Sequence, residues 1–290
     1  MASLIDIRRR IRSVKNTQKI TKAMKMVAAA RLRRAQNRVV AARPFAKTLE
    51  ATLSSVVSKL PPREDDAPLH PLLATRPEKR VVVVIVSGDR GLCGAFNSNI
   101  NRAAGLFLKK LKASAESVRL VVLGKKAVEF WKRRPYEILE ARPGVFQNLS
   151  YESAAEIARK LAQLFISGEA DAVYVLFNEF KSVIAQVVRT RRLLPLEIEE
   201  TKENTVDYLF EPGPDEILSR LLPRHLEFQL YRVLLESNAA ENAARMTAMD
   251  GASKNAGEMI DALTLTYNRA RQARITKELI EIVSGAAALG

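Results

Sequence analysis

Residues 4–60, LIDIRRRIRSVKNTQKITKAMKMVAAARLRRAQNRVVAARPFAKTLEATLSSVVSKL, return every three or four positions to Leu4, Ile7, Ile11, Val14, Gln18, Thr21, Lys25, Ala28, Leu32, Ala35, Val39, Ala42, Ala46, Leu49, Leu53, Val56 and Leu60. Only Gln18, Thr21 and Lys25 are polar. Sustained spacing of this kind is the seam of a coiled coil. About 55 helical residues at a rise near 1.5 Å reach roughly 80 Å, too long for one element of a compact domain. Pro44 lies inside the run. A proline in a helix forfeits a backbone bond and crowds the preceding turn, so a bend is expected there, with two helices broken at Arg43 as the alternative.

A second run starts after Pro212, Gly213 and Pro214 and continues from Asp215 to about Ser284. Its small and apolar positions are Leu230, Val233, Ser237, Ala240, Ala244 and Thr247; the register slips near Gly251 and resumes at Ala252, Ala256, Met259, Leu263, Thr266, Ala270 and Ala273. Pro223 is a second expected kink or break. About 70 residues correspond to roughly 100 Å of helix. Two such helices at the ends of one chain satisfy each other's seams by folding back as an antiparallel pair, and the alanines call for close backbones.

Between them the pattern changes. Residues 61–79, PPREDDAPLHPLLATRPEK, have no period and read as a linker. RVVVVIVSG, RLVVLG and AVYVLF are aliphatic strands, separated by helical stretches near Asn97–Lys112, Lys125–Arg133 and Tyr151–Ser167. That alternation predicts a parallel α/β sheet. SVIAQVVRTRRLLP follows the short connection NEFK, so it is expected to be an antiparallel strand. The fold class is therefore α/β, a long antiparallel coiled coil of terminal helices with a central Rossmann-like α/β domain. The expected division is 1–60 helix, 61–79 linker, 80–212 α/β head and 213–290 helix.

With 290 residues, 47% of them hydrophobic, the chain can bury a sizeable core. Its longest aliphatic run, Val81 to Val86, is far below the ~20 residues of a membrane span. One cysteine, Cys93, excludes an intramolecular disulfide and points to a reducing compartment. The helical pattern begins at Leu4 and continues unbroken to Leu60, so residue 1 is expected to be the mature start rather than part of a removable leader.

Catalytic motifs are scarce. SGDRGLCGAFNSN, residues 87–99, occupies the place of a dinucleotide-binding loop, but Gly88, Gly91 and Gly94 are not spaced as GxGxxG. The next strand, in RLVVLGKK, does not end in the acid that would hold a ribose. The sequence contains no GxxxxGK[ST], GxSxG or HExxH, and His70 and His225 are its only histidines. The loop is expected to be a structural turn.

Charge is the dominant signal. The formal net charge is +15, and between Ile7 and Leu49 fourteen Lys and Arg residues, from Arg8 to Lys47, occur with no acid. Such a run is either a solvated face or the mate of an acidic partner: nucleic acid, an anionic membrane or a protein surface. A groove-reading basic helix would end its seam where its basic region starts. Here Ile7, Ile11 and Val14 continue the seam through the basic stretch, which favours protein surroundings. A nucleotide-dependent enzyme built on the α/β domain is the third reading.

IRSVKNTQKITKAMKMVAAARLRRAQ (11–36), SGDRGLCGAFNSN (87–99) and RMTAMDGASKNAGEMIDALTLTYNRARQARITKELIEIVSGAAAL (245–289) together resemble the gamma subunits of F-type ATP synthases over essentially the whole chain. The resemblance implies a non-catalytic rotor shaft, without cofactor or metal, that threads a hexamer of alpha and beta subunits while the head sits on the membrane c-ring. It implies one copy per complex, no nucleic acid, and a place on the cytoplasmic face of a bacterial plasma membrane. It assigns contacts with the catalytic subunits to Arg8, Arg9, Arg10, Met24 and Lys25, and catch contacts to Arg271, Gln272 and Thr276. Within DYLFEP (207–212), Tyr208 and Glu211 match contacts to the rotor ring and the epsilon subunit, with Phe210 where Tyr is common. VSGAAALG at the C-terminus matches a smooth bearing, and Cys93 alone lacks the cysteine pair of thiol-controlled chloroplast members.

Overall fold

The computed structural model describes residues 3–58, 68–198 and 213–287. Tyr208, Phe210 and Glu211 lie outside these residues, as does Leu60. The chain forms two compact units, one of residues 1–28 and 245–290, the other of residues 29–244. Helix α1, Leu4–Ser58, and helix α5, Pro214–Ala287, each contribute to both.

In the helix-pair unit, α1 opens on a capping box: Ser3 Oγ accepts from Asp6 N at 3.2 Å, and Asp6 Oδ2 accepts from Ser3 N at 3.3 Å. The two helices run antiparallel, since Lys25 meets Asp250, Thr21 meets Ser253 and Arg8 meets Tyr267. The α1 seam is as read: Ile7, Thr21 and Ala28 are buried here, with Ile11, Val14, Gln18 and Lys25 half-buried. The α5 seam differs. Beyond Gly251 it runs through Ser253, Ala256, Ile260, Leu263, Tyr267 and Ala270, while Thr247, Thr266 and Ala273 are exposed and Met259 is 54% exposed. A polar residue, Ser253, holds the position that apolar spacing gives to Ala252, because its partner Thr21 is polar too.

The second unit is built on a five-stranded sheet of order β3-β2-β1-β4-β5. Its strands are β1 Arg80–Val86, β2 Ser117–Leu123, β3 Glu137–Arg142, β4 Ala172–Phe180 and β5 Gln186–Leu194. The first four are parallel and β5 is antiparallel to β4. β1 reads as an unbroken aliphatic run because both its faces are covered. Val81, Val83 and Ile85 pack with α2, Phe96–Leu111, and α3, Lys125–Trp131. Val82, Val84 and Val86 pack with α4, Tyr151–Ile166, and with Leu49, Leu53 and Val56 of α1 and Leu222, Leu226 and Leu230 of α5.

Three local readings change, and one alternative closes. Residues 137–142, EILEAR, form a parallel edge strand absent from the expected list, half exposed and interleaved with charge, so no aliphatic run marks it. The connection before the last strand is residues 181–185, turned by hydrogen bonds to the Ala185 carbonyl, because Asn178, Glu179 and Phe180 of NEFK already belong to β4. Part of the linker is structured: Pro71–Leu73 is a 3-10 turn capped by His70, whose Nδ1 accepts from Leu72 N at 3.1 Å. The helices continue through Pro44 and Pro223 without a break.

Candidate functional site

The basic face of α1 and the opposed stretch of α5 are the residues to which charge and seam direct attention. Arg8 Nη2 donates to the Tyr267 hydroxyl at 2.6 Å, and its guanidinium lies 5.6 Å from the centre of that ring. Arg9 and Arg10 are exposed. Arg271, Gln272 and Thr276 follow Tyr267 on α5 and are exposed as well. The helix pairing thus gathers Arg8, Arg9 and Arg10 at the same level as the stretch that leads into Arg271.

Met24 and Lys25 stand apart from that group. Lys25 is 17 residues from Arg8, about 25 Å along a helix at 1.5 Å per residue. Both are half-buried, and Lys25 Nζ meets Asp250 Oδ1 at 2.6 Å. That hydrogen bond holds the Asp250 carboxyl below the usual carboxylate range. One turn away, Thr21 Oγ1 and Ser253 Oγ lie 2.8 Å apart, and Gln18 Nε2 donates to the Ser253 carbonyl at 3.3 Å. Gln18, Thr21 and Lys25, the three polar positions of the α1 seam, therefore face a matching polar layer on α5. Asp250 and Ser253 were not among the sequence candidates; the polar gap in the α1 seam was the signal that could have pointed to them.

The glycine loop is engaged by the chain itself. Gly88 N donates to Asn97 Oδ1 at 2.9 Å, and a β-carbon on Gly88 would meet the Glu241 carboxylate carbon at 2.9 Å. Asp89 accepts backbone amides from Lys125, Gly144 and Phe146 at 2.9, 2.7 and 3.0 Å, joining β1 to the next two crossovers. Ser87 Oγ accepts from Ala127 N at 2.7 Å. Cys93 and Phe96 bury against Ala240 of α5. A phosphate would have to displace these bonds; the loop is a joint between sheet and helix.

Among the described residues, no cluster of three His, Cys, Asp or Glu side chains could hold a metal ion, and no helix is long and apolar enough to cross a membrane. The strongest features of the described residues are a pair of long antiparallel helices in one unit and, in the other, a glycine loop tied into its own sheet and helices. Residues 3–289 match the model of the ATP synthase family. The ATP synthase gamma chain of Chlorobaculum tepidum is 50% identical over 295 residues, covering 100% of this chain and 99% of its own. That of Solibacter usitatus is 51% identical over 288 residues, with 99% of both chains covered. Among solved structures, a chain of the Tetrahymena thermophila mitochondrial ATP synthase central stalk and c-ring is 26% identical with a TM-score of 0.59, covering 81% of this chain and 99% of its own. A chain of the Euglena gracilis mitochondrial ATP synthase rotor, at 16% identity and a TM-score of 0.65 with 94% and 98% covered, shares the fold. The chain belongs to the ATP synthase gamma chain family, whose function is that of the central rotor shaft of an ATP synthase, a membrane-associated complex.

Proposed function

We propose that this shaft turns inside a hexamer of alpha and beta subunits, with its α/β unit carried by the membrane c-ring and the epsilon subunit, one copy to each complex, on the cytoplasmic face of a bacterial membrane. Catalysis belongs to the partners, and the chain by itself turns over no nucleotide. The functional organisation follows the four segments 1–60, 61–79, 80–212 and 213–290. Each charge crossing the membrane supplies about 2.3 kcal/mol per 100 mV, so several crossings must be summed mechanically for one ATP. Three chemically alike sites acquire different affinities at one moment through differential contact with one asymmetric shaft.

The observation that carries this reading is the coincidence of the basic run with the seam. Ile7, Ile11 and Val14 are turned toward α5 while Arg9, Arg10, Arg12 and Lys15 face outward. The pair thus stays closed where its positive charge is densest, as a shaft in an acidic protein sleeve requires and a forked nucleic-acid reader does not. Arg8, Arg9, Arg10, Met24, Lys25, Arg271, Gln272 and Thr276 are the proposed contacts with the catalytic subunits, and Tyr208 and Glu211 those with ring and epsilon. Neutralising Arg8, Arg9 and Arg10 together lowers proton-driven ATP synthesis or assembly, with the α/β unit still folded. Unchanged synthesis in that variant contradicts the reading. Binding to duplex DNA that falls steeply with salt would instead support the nucleic-acid alternative.

A further inference from the structure

Lys25 is the one basic side chain of α1 between Arg8 and Lys47 that has an ion-pair partner among the described residues. Its carboxylate comes from the other helix, since α1 has no acid between Ile7 and Leu49. The pair sits at the border of the seam rather than inside it: the side chains of Lys25 and Asp250 are 43% and 36% exposed. A third charge shares the site. Lys254 Nζ lies 3.6 Å from Asp250 Oδ2, the oxygen that Lys25 does not use. Asp250 is thus bracketed by two lysines, one across the helix pair and one a turn along its own helix.

We propose that Asp250 is a holding acid: it keeps Lys25 docked on α5 in the free chain and releases it to a carboxylate of a surrounding acidic protein, while Lys254 retains the Asp250 charge. The exchange is nearly balanced. An exposed ion pair is worth little by itself, and Lys25 trades one carboxylate for another. Asp250 is not left uncompensated, because an i,i+4 lysine remains at its second oxygen. The neighbouring Thr21–Ser253 and Gln18–Ser253 bonds hold the two helices in register throughout, so only the Lys25 side chain moves. A shaft with such a contact has a cation that engages a partner without a bare charge on the surface beforehand.

This inference rests on the proposed contact between Lys25 and a catalytic subunit. Zero-length carbodiimide cross-linking with mass spectrometry on the full chain, free and in the reconstituted complex, tests both, alongside acylation of the Lys25 amine. In the free chain a Lys25–Asp250 amide is expected. On assembly its yield falls about tenfold, the ratio for 1.4 kcal/mol of preference, and Lys25 links instead to a partner acid. In the free chain Asp250→Asn raises Lys25 acylation severalfold, whereas in the complex it does not. If the Lys25–Asp250 amide keeps its yield in the complex while the amine is protected, the contact stands and the release is overturned. If Asp250→Asn leaves acylation in the free chain unchanged, the holding role is overturned. If Lys25 is acylated equally in the free chain and the complex, the contact itself fails, and the inference with it.

Discussion

Gly124 follows β2 with φ at +94°, and a β-carbon there would stand 2.0 Å from the carbonyl oxygen of Ser87. Backbone cannot yield as a side-chain tip can, so Gly124→Ala is expected to cost about 3 kcal/mol or more in denaturant unfolding. Gly91→Ala, with nothing within 4 Å, is expected to stay within about 0.5 kcal/mol. His225 gives a pH test. It is buried beside Gln229, its Nε2 2.6 Å from the amide nitrogen, and desolvation pushes its pKa down to about 4. The unfolded chain takes up that proton near pH 6.5, so between 6.5 and 4 the unfolded state binds more protons and stability falls as the pH falls. The loss is about 3 kcal/mol over that window, and His225→Gln removes that part of the slope while other titrations continue. Unfolding midpoints of both proteins at pH 7 and pH 4.5 decide it. The role of Asp89 is likewise not visible in the sequence of its loop. SGD announces a turn, but that Asp89 gathers amides from Lys125, Gly144 and Phe146 depends on where two distant crossovers end.

The helices were legible because each has one long apolar stripe, and β1, β2 and β4 because buried parallel strands are continuous aliphatic runs. β3 was not, since an edge strand needs no such run. The α5 register failed for a related reason: where Thr21 meets Ser253, the seam is polar on both sides and apolar spacing locks onto Ala252 and Met259 instead. Thr21→Val alone takes from the Ser253 hydroxyl its 2.8 Å partner, leaving it only the 3.5 Å bond to the Gln18 carbonyl, and is expected to cost about 1 kcal/mol, most of it recovered in Thr21→Val/Ser253→Ala, because removing both polar partners is nearly neutral. Hydrogen exchange across residues 245–260 reads the effect. Met259→Gln, at a position the spacing called buried and the structure exposes, is expected to change stability by under about 0.5 kcal/mol. From charge alone the basic residues of α1 were legible as a stripe; the pairing of Arg8 to Tyr267 and of Lys25 to Asp250 required the helix register.

Every described side chain from Arg271 to Ser284 is exposed, including Ile275, Leu279, Ile280, Ile282 and Val283. In the proposed assembly the surrounding subunits cover these exposed apolar side chains. Ending the chain after Ala270 is therefore expected to leave the unfolding midpoint of the unit of residues 29–244 unchanged while lowering ATP synthesis by the reconstituted complex. The whole-molecule claim is rotation. Ile184, 86% exposed in the turn before β5, accepts a cysteine, and the native Cys93 is buried, so Ile184→Cys provides one reactive thiol for a probe. With the alpha–beta hexamer fixed to a surface and ATP added, the probe is predicted to rotate continuously in one direction; ATP turnover with the probe stationary would contradict the assignment of this chain as the shaft.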